Sequence, residues 1–327
     1  MTTAPTPVPS SAAADRDSTR VGGGAGAPRT APQTPLATSA APRRRLRPAG
    51  GPWLATLPLL VFFAIAFGLP AIAIAIGAFT LSPDAPTGAG TFTTSNMTAS
   101  VQGAYATALL GSIKLSALTA LIGVLVGLPL AQAVVTSRFR MMREAVLSAS
   151  GVLANFGGVP LAFAFVATLG NAGELTKQFK LTSHGWSLYT FNGLTIVYLY
   201  FLIPLMILTI TPALEGLRVQ WREAANNNGA TNWQYWRHVA LPILLPSLLG
   251  GYVMLFGSAF AAYATAAAMV GASIPLIPLH IADALSGNVL VGQGNVALAL
   301  SLDMIVVAAL VMAVYLPLQR RSARWLA

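Results

Sequence analysis

Six apolar stretches divide this chain, and each is long enough to cross a bilayer. They cover residues 53–80, 106–135, 145–169, 194–214, 243–270 and 296–318. A membrane helix needs about 20 apolar residues to span the hydrocarbon core. The runs are continuous rather than alternating, which argues for helices and against a barrel. Several contain proline (Pro70, Pro129, Pro160, Pro204). Membrane helices tolerate it, because neighbouring helices and side chains re-satisfy the freed backbone groups.

Composition agrees with a membrane solvent. Only 9% of residues are charged, where a soluble domain carries about a quarter. Mean hydropathy is +0.68. There is no cysteine, which excludes disulfides, thiolate metal sites and cysteine nucleophiles. The three histidines, His184, His238 and His280, are far apart and lack metal-ligand spacing. Neither a metal nor a cofactor is expected.

The net charge of +10 suggests nucleic acid only if its distribution is ignored. Sixteen of the 19 basic residues fall before the first span, in the loop 137–144, in the loop holding Arg218, Arg222 and Arg237, or at the C-terminus. In a six-span chain those four segments lie on one side. Excess lysine and arginine marks the cytoplasmic side, so both termini are expected there, in a multi-pass protein of the cell membrane. No nucleic-acid partner is expected; membrane lipid is. Residues 1–52 are rich in Ala, Pro, Thr, Ser and Gly without apolar periodicity. Such a segment buries too little surface to offset its ordering entropy, and reads as a disordered, basic cytoplasmic tail. Residues 53–327 form the membrane domain.

The polar stretch WREAANNNGATNWQYWRHVALP, residues 221–242, separates the fourth and fifth spans. A helix beginning at Thr211-Pro212 runs through Glu223, Ala224 and Ala225. Gly229 ends it, since glycine readily takes left-handed backbone. Thr231 and Gln234 fit a capping box for a second short helix. Trp233, Trp236 and Ala240 share one face of that helix. Leu241-Pro242 leads into span five. Such an aromatic, amphipathic loop either rests passively at the membrane interface or receives a partner.

The spacing Glu223-Ala224-Ala225, three residues, Gly229, nine residues, Val239, one residue, Leu241-Pro242 resembles the EAA loop of ABC importer permeases. These are the inner-membrane components of binding-protein-dependent transport systems. The resemblance in layout covers roughly residues 53–327. It implies an all-α integral membrane protein of about six helices with a type I ABC importer permease-like fold. It also implies three partners: ABC ATPase subunits, an extracytoplasmic solute-binding protein, and a second permease subunit, the same chain or a related one. In the family this loop, here about residues 212–242, docks on the ATPase. Glu223 would then make a polar contact, and Ala224 and Ala225 would allow close approach. Gly229, followed by Ala230, would turn the chain, and Leu241-Pro242 would set the entry into span five.

Other residues bear on mechanism. The chain has no G-x-x-x-x-G-K-[ST] loop, so ATP hydrolysis is expected in a partner and not here. No nucleophile pairs with a histidine, which argues against an enzyme. Polar residues inside spans are costly in lipid and often functional. Asn155, Tyr198, Tyr263 and Asp303 are candidates for a translocation pathway, with helix–helix hydrogen bonding as the plainer reading. Residues 155–160, NFGGVP, would loosen a helix and mark a hinge or a place where small residues pack. The resemblance points to polyamine, iron or phosphonate uptake. Two alternatives stand beside it: a sugar-type ABC permease, against which Asn228 before the loop glycine weighs, and a gradient-driven secondary transporter, which would need Asp303.

Overall fold

In the computed structural model, residues 56–83, 85, 88–287 and 294–323 are described. The expected tail at 1–52 lies outside the described residues. Six helices are long and apolar enough to cross a membrane. Among the described residues there is no strand, only one isolated bridge between Thr80 and Phe92.

The chain opens with α1 (Leu57–Ala78) and a short α2 (Ser95–Ser100). It continues through α3 (Gly103–Thr136) and α4 (Arg140–Asn155). Next come α5 (Val159–Leu169), α6 (Glu174–Gln178) and α7 (Phe191–Glu215). Then follow α8 (Val219–Asn227), α9 (Asn232–Phe260) and α10 (Ala264–Met269). The chain closes with α11 (Ile277–Leu285) and α12 (Val296–Ala323).

The centre of the bundle is α3 against α7 and α9. Lipid tails are as apolar as leucine, so helices in a membrane associate by close packing and not by expelling water. Accordingly α3 turns a stripe of small residues inward: Ser112, Ser116, Ala120, Gly123, Gly127 and Ala131 are all buried. A Cβ on Gly127 would lie 2.6 Å from Met206 Cγ on α7. One on Gly123 would lie 2.7 Å from Leu255 Cδ2 on α9. The large partners Tyr198, Leu202, Met206, Ile210 and Leu255 fill the space these small residues leave. By contrast α1 has no buried residue across its most apolar window, and Phe62 and Phe67 are exposed.

Two wide π-helical turns interrupt α-helical register, at Ala64–Gly68 in α1 and Trp236–Ala240 in α9. Each ends two residues before a proline, Pro70 and Pro242. A proline in a helix leaves one carbonyl a turn back without its N–H partner and crowds it. A wide turn at that place relieves both problems.

The spans differ from the expected ones at three places. Residues 145–169 are not one helix: α4 ends at Asn155 and α5 starts at Val159. The fifth stretch, 243–270, is likewise broken at residues 261–263. Thr211-Pro212 does not start a helix but lies inside α7. There the Thr211 hydroxyl donates to Ile207 O at 2.6 Å, and the helix carries Pro212 through to Glu215 before Gly216 stops it.

Candidate functional site

Two places gather the residues singled out from the sequence. The first is the polar loop between α7 and α9. Its helix α8 ends in a Schellman turn: Ala230 N–H donates to Ala225 O at 3.0 Å and Gly229 N–H to Asn226 O at 2.9 Å. Gly229 sits at φ +73°, and nothing lies within 4 Å of where its Cβ would be. The expected capping box is present, with Gln234 N–H donating to Thr231 Oγ1 and Thr231 N–H to Gln234 Oε1. A compact helix–turn–helix results, closed by its own backbone bonds.

The outer surface of that loop is open. Glu223 and Ala224 are exposed, Ala225 and Ala230 are half-buried, and Leu241 and Pro242 are exposed. Trp233 and Trp236 do not share an environment as expected. Trp233 is 72% exposed, while Trp236 is half-buried against the core and Ala240 is fully buried. The π-turn starts only at Trp236, so the difference is one of position: Trp233 lies in the first turn of α9, outside the core cluster that Trp236 packs against. The π-turn joins the loop helix to span five without a break.

The second place is a pair of helix breaks. Gly158 lies between α4 and α5 at φ +81°, ψ −153°, a conformation essentially reserved for glycine. Its N–H donates to Thr265 Oγ1 at 2.9 Å, and the same hydroxyl is 3.3 Å from Gly158 O. Thr265 lies in the first turn of α10, just past the break in the fifth span. Tyr198 on α7 donates its hydroxyl to Ala262 O, inside that break, at 2.9 Å. The two interrupted helices therefore meet through hydrogen bonds that replace the helical ones each has lost. Inside a membrane such replacement is a condition for a break to exist.

Of the four pathway candidates, Tyr198 and Tyr263 flank this junction and Asn155 closes the helix that leads into it. Tyr198 is fully buried, while Tyr263 and Asn155 are exposed. Asn155 bonds only within its own helix, to Gly151 O. Asp303 belongs to another cluster, on α12 beside Ser100 of α2, and its buried Oδ2 has no partner among the described residues. Sequence reasoning missed Thr265 and Ala262. Glycines 157 and 158 with Pro160 mark the first break, but no glycine or proline marks the second.

Comparison with known proteins bears on the family and the fold. A family profile described as "Binding-protein-dependent transport system inner membrane component" matches residues 123–324. The sulfate transport system permease protein CysT of Escherichia coli is 38% identical over 68 residues, 21% of this chain and 24% of that one. The match thus spans about a quarter of that relative's length. The molybdenum transport system permease protein ModB of Mycobacterium tuberculosis is 27% identical over 212 residues, 63% of this chain and 76% of that one. A spermidine/putrescine permease, PotC of Escherichia coli, is 26% identical over 124 residues, 37% of this chain and 47% of that one. Among solved structures, a chain of a bacterial alginate ABC transporter superposes with a TM-score of 0.62 at 17% identity. It covers 82% of this chain and 93% of its own. At that identity the likeness is one of fold. The profile, by contrast, spans more than half of the chain, from the small-residue seam of α3 to the end of α12. The protein therefore belongs to the family of binding-protein-dependent transport system inner membrane components.

Proposed function

We propose that this chain is the permease subunit of an ABC importer, and that its α8–α9 loop couples the membrane pathway to a separate ATPase. The observation that carries the reading is the Schellman turn at Gly229. It fixes two helices by internal backbone bonds and leaves Glu223 and Ala224 exposed, with no side-chain partner among the described residues. A loop that needs no outside contact to hold its shape can be pushed as a unit. Its continuity with span five supplies the lever.

On this reading the arginine-bearing end is cytoplasmic and both termini lie there. Two permease subunits enclose the pathway, and an extracytoplasmic binding protein delivers solute. The structurally similar alginate transporter was captured with a periplasmic protein, which supports that partner by analogy. ATP binding in the partner stabilises one arrangement of the loop over the other, and the population of outward- and inward-open states follows. The junction of Gly158, Thr265, Tyr198 and Ala262 is where two broken helices can shift against each other. The exposed Tyr263 beside it is the side chain best placed to meet solute.

For the solute, charge favours an oxyanion such as a phosphonate over a polyamine or iron. Within the spans, away from their ends, Asp303 is the single acidic side chain among the described residues, and it lies beside Ser100. A cationic solute would find few fixed partners there.

Co-purification with the ATPase encoded beside it tests the coupling role. Wild type should retain the ATPase; Gly229→Pro, which can neither adopt φ +73° nor donate to Asn226 O, should lose it. Retention of the ATPase by a folded Gly229→Pro protein would remove the loop from the coupling role.

A further inference from the structure

On the inner side of the loop, facing the bundle, lies a cleft of about 470 Å³. Its walls come from the end of α3, from α4, from the end of α7, and from both loop helices. They carry Arg143, Arg218 and Arg222 against one acidic residue, Glu215, a net charge of +2. Arg143 is paired with Glu215. Arg218 and Arg222 have no carboxylate partner among the described residues. Arg218 rests 5.8 Å from the Trp221 ring centroid, and Arg222 makes only a long 3.4 Å contact to Asn232 Oδ1.

These two arginines stand four apart on one helix end, where like charges repel. They also stand at the N-terminus of α8, whose first turn has no acidic residue and no side-chain cap. Positive charge at the positive end of a helix dipole is a second unfavourable placement. A third feature points the same way. Tyr235 is only 6% exposed, lines the cleft, and its hydroxyl has no hydrogen-bond partner among the described residues. That hydroxyl opens onto the cleft, where an acceptor can reach it. A single group in the cleft would engage both arginines, the helix end and this hydroxyl: an anion with several acceptor oxygens.

We propose that this cleft binds a tetrahedral oxyanion of the phosphate class, either free or as the headgroup of an anionic phospholipid. Arg218 and Arg222 grip it with guanidinium forks, the uncapped N–H groups of α8 add dipolar attraction, and Tyr235 donates a hydrogen bond. Basic pockets between membrane helices near the interface are a recurring place for such headgroups. Bound there, the anion ties the start of α8 to the first turn of α9. The site is separate from the Gly158–Thr265 junction and does not depend on which solute is carried.

The test uses the full-length chain in nanodiscs of phosphatidylcholine, a lipid without net charge. One arm titrates inorganic phosphate against chloride at constant ionic strength, reading the fluorescence of the nearby Trp221 and Trp236. The other adds cardiolipin and counts retained molecules by native mass spectrometry. Binding is expected in at least one arm, and the arm that responds names the source. Arg218→Gln/Arg222→Gln should weaken that binding by tenfold or more, on the order expected for losing two charge-assisted contacts. Tyr235→Phe, which keeps the ring packed, should weaken it by about threefold. Arg138→Gln, an arginine of the same end that does not line the cleft, should leave it unchanged. Absence of binding in both arms, or equal binding by the double variant and wild type, overturns the proposal.

Discussion

Two glycines here sit at helix ends in backbone that other residues avoid: Gly158 starts α5 at a junction between spans, and Gly229 follows the end of α8 on the surface. Gly158 is half-buried and tied to another helix: its N–H donates to Thr265 Oγ1, and a Cβ built on it would lie 3.8 Å from Ala264 Cβ. Gly229 is open, with nothing within 4 Å and both hydrogen bonds of its turn supplied from its own helix. The first turn is held by its surroundings, and the second holds itself. That difference separates the two proposed roles. A junction between spans must move against its neighbours, so its bonds run between helices. A docking loop must travel intact, so its bonds run within it.

The sharpest way to break the comparison is at Gly158. Alanine there must enter a region nearly closed to it, at a cost of about 3 kcal/mol. Gly158→Ala should lower unfolding free energy by that amount in detergent micelles and shift the junction. Thr265→Val should follow, costing about 2 kcal/mol by leaving the Gly158 N–H without its acceptor in an apolar setting. Tyr198→Phe removes the donor to Ala262 O and should cost about 1 kcal/mol, since membrane hydrogen bonds average below that of a buried orphan. If all three variants unfold like wild type, the two breaks are not joined as described.

These costs also explain what could be read from the chain alone. The spans were legible because a bilayer demands long apolar runs. The loop was legible because Gly229, Thr231 and Gln234 act on residues at most five away. The break at residues 261–263 was not, because its stability comes from Tyr198, 64 positions earlier in sequence. Nothing in Ala261-Ala262-Tyr263 by itself disfavours a helix. Thr211-Pro212 misled for the opposite reason. It carries a true local start signal, but the surrounding membrane helix absorbs it, with Thr211 bonded back to Ile207.

At the surface turn the expected effect is smaller. Gly229→Ala meets no atom and loses no hydrogen bond, so its cost is the left-handed backbone alone, about 1 kcal/mol. Gly229→Asn should cost less, because asparagine visits that region readily. A Gly229→Ala loss as large as that of Gly158→Ala would mean the surface turn, too, is held from outside. The unfolding free energies of the two variants, measured side by side, decide this.

The smallest stability effect should accompany the largest functional one. Glu223 is exposed and makes no hydrogen bond or ion pair among the described residues. Its replacement by alanine, a better helix former, should change stability by no more than about 0.5 kcal/mol. If the loop is the coupling element, Glu223→Ala should nonetheless weaken ATPase retention and uncouple ATP turnover from solute delivery. Glu223→Gln should restore retention in part, because it keeps the hydrogen-bonding reach without the charge. A passive interfacial helix predicts the reverse pattern: exposed Glu223 would be silent in both assays, and only the buried junction would matter. The pair Glu223→Ala and Thr265→Val, compared for folding and for coupled turnover, therefore tells a loop built to be touched from a junction built to hold.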